Sequence, residues 1–446
     1  MPRIVLVGAG SVEFTRNLLG DFFSFPELRD AEIVLHDIDE DRLATAVRMV
    51  RWTAGALGAT PKVRASLNRR EALAGADYVI NIIQVGGSRA TQIDFDVPAR
   101  YGLHYTINDT INVGGVFRGL RSIPVVLAIA RDMADVCPDA LLLNYVNPMA
   151  ILVKAVHQGV GLPVVGLCHS VYWTVHTLAE YLGLPFEEVR AVSGGINHLA
   201  WILSLERDGK DLYPALRSFV ESGGVPDDDL VRAELFRRFG VYPTESSEHH
   251  AEYSPWFIPK GKAESLHIPI GEYLSRVAHN QAEFEETKRL LDAGAPFEIE
   301  QSGEYAPVIV HAMGTGGSAR IVANVMNDVI GAGPGGGGPL IPNLALDACV
   351  EVPAVVDGLG VHPIGTGPLP AQCAAYAHPA VDCQLLTVSA ALERSRDLVY
   401  HAVLTDPQVQ ATLALDEAWR LTDELIAAEA EWLPAWLGGS APNWTD

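Results

Sequence analysis

The sequence predicts an α/β fold in which a parallel sheet occupies the first part of the chain. Three observations predict it: short apolar segments rich in β-branched residues, stretches with helical spacing between them, and a glycine turn after the first segment. Strands buried on both faces are typical of parallel sheets, and helices join such strands. We predict one domain of this kind over residues 1–194 and a second, mixed α/β domain over residues 195–446.

Strands and helices alternate at the start of the chain. The strands are predicted at Arg3–Val7, 31–35, 63–66 and 77–83, and the helices at 12–25, 40–57 and 69–74. Two further buried strands are predicted at 140–145 and 164–167. This order predicts successive βαβ units, whose strands lie side by side in one parallel sheet.

The turn after the first strand has the pattern of a dinucleotide site. Gly8 and Gly10 allow the backbone to approach a pyrophosphate, and the helix that begins after Ser11 favours the negative charge. Asp37 ends the second strand, where a carboxylate accepts hydrogen bonds from a ribose diol and favours NAD over NADP. Glu13 replaces the usual third glycine, so a glycine turn without a ligand is the alternative interpretation.

Polar residues follow two later strands. Gln84 and Gly86 come directly after the fourth strand and would form a second loop over the cofactor. Asn147 follows the fifth strand, and Pro148 holds it extended at the carboxyl edge of the sheet, where open α/β sheets bind ligands. The Asn147 amide is placed to hold a substrate hydroxyl, although Asn-Pro is also a common turn.

A polar loop with several glycines lies between these two strands. It covers residues 108–115 and leads into a helix that carries Arg118 near its start. Such a loop suits contact with a cofactor or a substrate. A loop that only caps a helix would have the same pattern.

A thiol and two imidazoles stand near the ends of later strands. Cys168 and His169 follow the sixth strand, and His198 follows a short strand predicted at 189–192. A Cys and a His that converge can hold a divalent transition metal and leave coordination positions free for a substrate. The alternative interpretation is a small buried thiol and a structural imidazole.

A segment dense in titratable groups lies in the second half of the chain, at 244–256. Its two adjacent histidines, His249 and His250, with flanking Glu and Tyr residues such as Glu248 and Tyr253, would suit a general base, although a solvated loop can have the same composition. After about residue 206 the alternation of strands and helices fades, and we expect helices to dominate.

The remaining patterns concern the second domain. The glycine-rich stretch 331–339 predicts a flexible or turn-rich insertion. Apolar residues at helical spacing predict helices over 385–404 and 413–432, which face the core or an oligomer interface.

The composition argues against some classes of function. With 32 basic and 55 acidic residues the formal charge is −23, which disfavours a nucleic-acid or anionic-membrane surface. The five cysteines form no CxxC pair and indicate free thiols in a reducing compartment. No signal-peptide pattern opens the sequence, and no stretch approaches the roughly 20 apolar residues of a membrane span. We therefore expect a cytoplasmic protein.

A set of motifs in chain order carries a resemblance to one known family. They are GAGS (8–11), NDT…GGVFRGLRSIP (108–124), CPDALLLNYVNPMA (137–150), VGLCHSV (165–171), GINHLAW (195–201), TESSEHHAEYSPWF (244–257), CVEVPAVVD (349–357) and DELIAAEAEWLPAWL (423–437). Together they closely resemble glycoside hydrolase family 4, and within it the melibiase-type α-galactosidases. The resemblance covers nearly the full length and is more specific than any one motif.

The resemblance implies a fold like that of the lactate and malate dehydrogenases, with a Rossmann-type sheet and a second α/β domain. It implies glycoside cleavage with NAD and usually Mn²⁺, outside the two-carboxylate scheme, in a homo-oligomer that is a dimer or a tetramer. Cys168 and His198 match the family's metal ligands, and Asn147 matches a substrate-binding amide. His169 falls at the position of the acid.

The resemblance also places the base that removes the sugar C2 proton within the segment 244–253. We assign it to His249, with Glu248 and Tyr253 as alternatives. Asp109 and Arg118, which lie in the 108–124 motif, are assigned to catalysis and to substrate binding.

The implied chemistry is a redox-assisted elimination. Oxidation of the sugar C3 hydroxyl by NAD⁺ makes the C2 proton acidic, and a metal held by Cys168 and His198 stabilises the resulting enediolate. The glycosidic oxygen leaves with help from the acid, water adds at C1, and the hydride returns to the sugar. NAD is therefore not consumed.

Substrate choice has several interpretations. The CHSV tetrad at 168–171 resembles the type associated with α-galactosidase activity, and α-glucosides or uronides are the alternatives within the family. Asn112-Val113 replaces the Gly-Pro that the family commonly has there, which predicts a reshaped loop near the sugar or nicotinamide. Outside the family, the alternatives are an NAD-dependent dehydrogenase of a small hydroxy acid and a dinucleotide-sensing protein without enzymatic activity.

Overall fold

The computed structural model describes residues 1–296, 298–299, 301–328 and 338–441. Most of the predicted insertion at 331–339 therefore lies outside the described residues. Within them, thirteen strands form one sheet. The strands are β1 (Arg3–Val7), β2 (Glu32–His36), β3 (Lys62–Ser66), β4 (Tyr78–Asn81), β5 (Leu141–Asn144), β6 (Val164–Gly166), β7 (Arg190–Ile196), β8 (Leu199–Arg207), β9 (Lys210–Asp211), β10 (Tyr242–Pro243), β11 (Ala319–Met326), β12 (Cys349–Asp357) and β13 (Gly360–Pro363).

Helices cover both faces of this sheet and its ends. They are α1 (Val12–Ser24), α2 (Glu40–Leu57), α3 (Arg69–Leu73), α4 (Gly87–Arg100), α5 (Val113–Val136), α6 (Met149–Gly159), α7 (Ser170–Tyr181), α8 (Tyr213–Glu221), α9 (Leu230–Phe239), α10 (Ser247–Glu252), α11 (Glu272–Ala293), α12 (Tyr305–Thr315), α13 (Ala371–Glu393), α14 (Arg396–Val403), α15 (Pro407–Thr412) and α16 (Leu415–Ala428).

The first half of the sheet is parallel, as the sequence predicts. β6, β5, β4, β1, β2 and β3 lie side by side in that order, and each neighbouring pair is parallel. β1 shows why its residues form a buried strand: Ile4 and Leu6 pack into one apolar cluster, while Val5 and Val7 pack into another on the opposite face. The predicted α/β fold with a Rossmann-type sheet is confirmed.

The second half of the sheet is antiparallel. β11 pairs with β6 through Asn324 and Gly166, β12 pairs along β11, and β7 meets β12 at Gly195 and Glu351. Helices dominate after residue 206, as expected, since α8 to α16 lie there, but the strands β11 and β12 were not predicted from the sequence. Both strands are buried near the middle of the sheet, so they lack the alternation of apolar and polar residues that would distinguish them from a buried helix.

Two predictions, the domain boundary after residue 194 and the helix over 385–404, can be compared with the strands and helices observed. The boundary after residue 194 lies within β7, and the division into two domains stays a prediction. The helix predicted over 385–404 is two helices, because Arg394 adopts a positive φ of 55° after α13 and Ser395 caps α14.

α5 is the long apolar helix of the core. By length and composition it could cross a membrane, contrary to the sequence expectation, and 89% of its apolar window is buried inside the protein. Ile123 and Val126 pack toward the parallel sheet, whereas Phe117 and Leu120 pack toward the C-terminal helices. Burial of most of the helix explains why mostly apolar residues surround it up to Ala130, whereas Arg131 and Asp135 near its end are exposed.

Candidate active site

A cavity of about 560 Å³ lies at the carboxyl ends of the parallel strands. All the residues that the sequence predicts as cofactor contacts line it. They are Gly8, Gly10, Ser11, Asp37, Gln84 and Gly86. The structure therefore brings the first and second predicted loops together around one space.

The glycine turn forms a cradle that no other residue type could form. Gly8 has a φ of 89°, and a Cβ built on it would lie 2.9 Å from the backbone of Ile82. The Gly10 N–H donates to Asp37 Oδ2 at 2.7 Å, which joins the turn to the end of β2. A backbone cradle beside a helix N-terminus and a carboxylate at the second strand end fit a bound dinucleotide.

Residues far along the chain close this cavity. Arg276 and Phe284 of α11 line it, and so does Trp432 after α16. The Arg42 guanidinium lies 4.4 Å from the centre of the Phe284 ring, which ties α2 to α11. The sequence analysis missed these contacts because no local pattern relates them to the glycine turn.

Two groups of potential metal ligands lie beyond the cavity and share one histidine. In one group a ligand atom from each of Cys168, His198 and Glu245 lies within 4.8 Å of the others. In the other, Asp109, His198 and His249 meet the same limit. The structure thus brings the predicted ligands Cys168 and His198 together and adds carboxylates from two separate loops.

Three residues of this region have left-handed backbones. Asn108, His198 and Glu245 have φ values of 57°, 62° and 68°. This conformation is disfavoured for residues with a Cβ and is concentrated at functional sites in proteins. The backbone strain is thus placed at two of the potential ligands and at the residue before Asp109.

The Asp109 carboxylate orients two of the site side chains. Burial raises the pKa of Asp109, but the charges of Arg118, His198 and His249 lower it by more than burial raises it. The net pKa of Asp109 is therefore lowered. Asp109 Oδ2 accepts from the Asn147 amide nitrogen at 3.1 Å. The amide oxygen of Asn147 therefore faces away from Asp109, and it is buried with no hydrogen-bond partner among the described residues.

Thr110 connects Asp109 to His198. Its hydroxyl donates to Asp109 Oδ1 at 2.6 Å and lies 3.0 Å from His198 Nδ1. A hydroxyl has one hydrogen, and the ionised Asp109 has none to donate, so the Thr110 oxygen accepts from Nδ1–H. In neutral His198 the lone pair is therefore on Nε2, which lies 3.6 Å from Glu245 Oε2.

His169 forms a pair with a buried carboxylate. Its Nδ1 lies 2.8 Å from Glu304 Oε1, and the imidazole is half-exposed at the start of α7. Burial lowers the pKa of His169, but Glu304 outweighs this effect, so the net pKa is raised. With Nδ1 held by Glu304, the other ring nitrogen is available to a ligand.

The three predicted base candidates are not equivalent. His249 lies in the second ligand group with its ring centre 4.5 Å from that of His198, and its Nε2 is buried without a partner among the described residues. Burial lowers the pKa of His249 to about 4. Tyr253 packs edge-on against His249 at 5.8 Å. Glu248 interacts instead with the charges of Glu272 and Arg276 on α11, and burial raises its pKa.

Arg118 links the ligand groups to the cofactor cavity. Its Nε donates to the Asn147 carbonyl at 3.0 Å, and its Nη1 donates at 2.9 Å to the hydroxyl of Tyr273, a residue of the cavity wall. The guanidinium is buried and engaged on both sides. The structure therefore places Arg118 behind Asn147.

The loop at 108–115 is held by close packing. A Cβ on Gly114 would collide with the Asn108 carbonyl oxygen, and one on Gly115 would lie 2.6 Å from the Thr110 carbonyl oxygen. Asn112, where the family commonly has glycine, donates from Nδ2 to the Glu252 carbonyl at 3.1 Å. This departure therefore adds a contact between the loop and α10.

Three residues with clear positions in the site were missed by the sequence analysis. Glu245, Thr110 and Glu304 each contact a predicted site residue. Thr110 and Glu245 lie inside the motifs at 108–124 and 244–257. The left-handed backbone that distinguishes Glu245 cannot be read from the sequence. Glu304 had no signal at all, since it reaches His169 from a distant turn.

The residues present fit both groups that the resemblance implies. The thiol, imidazole and carboxylate are a donor set suited to a divalent transition metal, and the unpartnered Asn147 oxygen adds an acceptor beside them. The glycine cradle, with no room for a Cβ at Gly8, fits a dinucleotide.

Comparison with known families and proteins gives a consistent result. The model of the family described as "Family 4 glycosyl hydrolase" matches residues 3–184, and that of its C-terminal domain matches residues 193–409. An alpha-galactosidase of Bacillus subtilis is 39% identical over 97% of this chain and 99% of its own length. An alpha-galactosidase of Rhizobium meliloti is 35% identical over 97% of this chain and 89% of its own length.

Solved structures share the fold. The crystal structure of lplD from Bacillus subtilis has a TM-score of 0.86 and 26% identity over 95% of this chain and 99% of that chain. A 6-phospho-alpha-glucosidase from gut microorganisms, solved in complex with NAD and Mn²⁺, has a TM-score of 0.82 and covers 97% of this chain and 99% of that chain. The second protein is 18% identical, so the likeness concerns the fold.

Proposed function

Because this chain belongs to the family 4 glycosyl hydrolases, we propose that it hydrolyses α-galactosides with the help of NAD⁺ and Mn²⁺. Membership confirms the predicted family and the prediction that the protein is a glycosidase. The choice of α-galactosides is supported by two relatives of that activity at 39% and 35% identity. NAD and Mn²⁺ are bound by a protein of the same fold.

One observation carries the proposal: Cys168 and His198 converge with carboxylates next to a glycine-lined cavity. In this proposal Cys168 and His198 hold the metal, and the cavity holds NAD⁺. When bound, NAD⁺ supplies reversible oxidation at sugar C3 and the cation supplies Lewis acidity toward the neighbouring sugar oxygens. A hydroxy-acid dehydrogenase would need no such ligand set.

The protein residues then bind the sugar and move protons. Asn147 accepts a hydrogen bond from a sugar hydroxyl, because its amide oxygen is the atom left without a partner. His249 is the base that removes the C2 proton, because its Nε2 is buried and unpartnered among the described residues. Arg118 and Asp109 hold Asn147 in place from behind.

His169 gives a proton to the leaving glycosidic oxygen. Glu304 holds its Nδ1, so the ring has one orientation in which the other nitrogen reaches the substrate. Glu248 and Tyr253 remain alternatives for the base. Of these, Tyr253 is the one that packs on His249 and Glu248 the one that faces α11.

The proposal extends to the state of the protein in the cell. All five cysteines are free thiols, which supports a reducing, cytoplasmic location. We propose a homo-oligomer, a dimer or a tetramer, and light scattering coupled to gel filtration tests it. The division into domains at residues 194 and 195 belongs to the same set of proposals.

A paired product assay tests the function. The protein is incubated with NAD⁺, Mn²⁺ and a reductant, and offered nitrophenyl α-galactoside, α-glucoside, α-galacturonide and β-galactoside. Nitrophenol release without accumulation of NADH supports the proposal, and the preferred glycoside identifies the substrate. Net NADH formation from a hydroxy acid without glycoside cleavage would contradict it.

Solvent exchange tests the role of the base. A galactoside deuterated at C2 should react more slowly or lose its label to water, because the C2 proton is removed. Full retention of deuterium in the product excludes the elimination. His249→Gln should reduce the exchange rate by about 100-fold or more, whereas Glu248→Gln should not.

A further inference from the structure

We propose that Glu245 is a third protein ligand of the divalent metal that Cys168 and His198 hold. The proposal deepens the function proposed above and rests on it. Glu245 stands between β10 and α10, outside the residues that the resemblance assigns to the metal. One ligand atom of Glu245 lies within 4.8 Å of those of Cys168 and His198.

The atoms of His198 and Glu245 that face each other support a shared cation. Thr110 accepts from Nδ1–H of His198, so the lone pair on Nε2 points away from Thr110. Glu245 Oε2 lies 3.6 Å from that nitrogen, too far for a hydrogen bond. With His198 neutral, two electron-rich atoms therefore face each other in a largely buried space, together with the sulfur of Cys168. A cation shared among them turns this repulsion into coordination.

The contacts of the Glu245 side chain also support its role as a metal ligand. Among the described residues its carboxylate is in no hydrogen bond with a side chain or a backbone N–H, and its near neighbours are His249 Nδ1 at 3.5 Å and His198 Nε2 at 3.6 Å. Asp109, the carboxylate of the other ligand group, already accepts from Thr110 and Asn147. Glu245 is thus the carboxylate with its oxygens free for a metal.

The backbone of Glu245 is held in a strained conformation. Its φ of 68° is disfavoured for a residue with a Cβ. The Arg232 guanidinium donates to the Glu245 carbonyl, and the Thr244 N–H donates to the Ala200 carbonyl at 2.9 Å. These bonds fix the strained backbone from both sides, so the carboxylate is aimed rather than free to turn to solvent.

The resulting ligand set is chemically sensible. A thiolate, an imidazole and a carboxylate suit a borderline cation such as Mn²⁺. Three protein ligands leave positions open for two neighbouring sugar oxygens, as in catalytic metal sites generally. In this arrangement His249 stays free of the metal and keeps its Nε2 for the substrate.

Metal affinity tests the proposal independently of activity. Mn²⁺ is titrated into the full-length protein without NAD⁺ or sugar, and free Mn²⁺ is measured by electron paramagnetic resonance. Glu245→Gln should raise the dissociation constant at least 10-fold, as should Cys168→Ser. His249→Gln is the matched control and should change it less than 3-fold.

Two outcomes overturn the proposal. If Glu245→Gln leaves the dissociation constant within 3-fold of the wild type, Glu245 is not a ligand, and a role as base or charge partner remains. If His249→Gln raises it as much as Cys168→Ser does, the metal occupies the other ligand group. Absence of glycoside cleavage would refute the proposed function without changing either measurement.

A second variant separates metal loss from misfolding. Glu245→Gly removes the carboxylate and also relieves the left-handed backbone, since glycine adopts positive φ freely. Its melting temperature without metal should equal or exceed that of the wild type, while its Mn²⁺ affinity falls. With Co²⁺ as the probe, Glu245→Gly should retain a thiolate-to-cobalt absorption band at saturation, and Cys168→Ser should lose it. A melting temperature well below the wild type, with normal Mn²⁺ affinity, contradicts the proposal.

Discussion

Hydrogen bonds donated to Asp109 determine which atoms of the neighbouring site residues are free to bind a ligand. The one hydrogen of the Thr110 hydroxyl goes to Asp109, and this fixes the proton of neutral His198 on Nδ1. The Asn147 amide is likewise fixed by donating to Asp109. One buried carboxylate therefore presents an imidazole nitrogen and an amide oxygen in the form that a metal and a sugar need.

Removing the Thr110 hydroxyl should weaken metal binding. Thr110→Val keeps the shape of the side chain but leaves Nδ1–H without an acceptor, so the wrong tautomer of His198 competes. We expect the Mn²⁺ dissociation constant to rise about 10-fold, measured by isothermal titration calorimetry. Thr110→Ser keeps the hydroxyl and should bind like the wild type. Equal affinities of the Val and Ser variants would exclude this role.

The stability of the protein should fall on acidification because of a buried imidazole. Burial lowers the pKa of His250 to about 3, and its Nε2 lies 2.7 Å from the Thr244 carbonyl oxygen. In the unfolded chain the pKa of a histidine is about 6.5, so between these values the unfolded state binds one more proton. The contribution of neutral His250 to the free energy of unfolding is therefore complete above about pH 6.5 and is lost as the pH falls toward 3.

Urea denaturation of the wild type and His250→Gln at pH 7.5 and 5.5 measures this effect. The wild type should lose about 1.4 kcal/mol more of its unfolding free energy between the two pH values than the variant does. His249 is present in both proteins, so the comparison isolates the effect of removing His250, including its charge interaction with His249. The same loss in both proteins would mean that His250 is not the group responsible.

Much of the residue-level site could be predicted from the sequence, and the reason is the parallel sheet. Cys168 and Asn147 follow buried strands, and the carboxyl ends of parallel strands meet at one edge. Glu245 and Glu304 could not be found in this way. They reach the site from irregular segments whose positions depend on tertiary contacts.

Among the larger elements, α10 and the loop at 106–112 act as one unit. Glu252, at the end of α10, accepts from the backbone N–H groups of Thr106, Ile107 and Asn108 at 2.8, 3.0 and 3.0 Å. This carboxylate fastens the loop that carries Asp109 and Thr110 to the segment that carries Glu245 and His249. The two ligand groups therefore depend on one clamp.

Removal of this clamp should destabilise the protein. Glu252→Ala leaves three backbone N–H groups without their buried acceptor, while the Thr106 hydroxyl keeps its bond to the Glu248 carbonyl at 2.7 Å. We expect a loss of about 3 kcal/mol in the free energy of unfolding, measured by urea denaturation. The Glu248 carboxylate, on the same helix, is hydrogen-bonded to Ser246 and to its own backbone but not to the loop at 106–112, so Glu248→Ala should cost about 1 kcal/mol or less. Similar losses in both variants would show that the clamp contributes little.

At the scale of the whole molecule, the cofactor cavity is completed by both ends of the chain. Trp432 lies 307 residues after Val125 of α5 in the sequence, yet both residues line the cavity. The sequence indicated the parallel half of the sheet through its alternating strands and helices. In the antiparallel half it indicated a short strand at 189–192, which overlaps β7, but not β11 and β12, and it did not indicate this closure. Strands buried on both faces and contacts between distant segments leave no local period in the sequence.

The C-terminal wall of the cavity should contribute to NAD⁺ affinity. Trp432 faces the Gly86 turn, and the Arg89 guanidinium lies 5.3 Å from the centre of its ring. Trp432→Ala should raise the NAD⁺ dissociation constant about 10-fold through lost apolar contact, which is about 1.4 kcal/mol, measured by calorimetry. Trp419→Ala, which removes a ring stacked on Tyr400, is the control and should leave it unchanged. An unchanged affinity in Trp432→Ala would mean that NAD⁺ does not reach this wall.

The join between β6 and β11 has a consequence for synthesis on the ribosome. Gly166 and its partner Asn324 are separated by 158 positions along the chain. At ordinary elongation rates the outer edge of β6 waits about 8–30 s for its neighbour to emerge. During that interval its unpaired N–H and C=O groups are a template for wrong pairing between nascent chains. A chaperone that shields this edge during synthesis should therefore raise the yield of soluble protein. Its effect should exceed that of a change that only slows the unfolding of the finished enzyme.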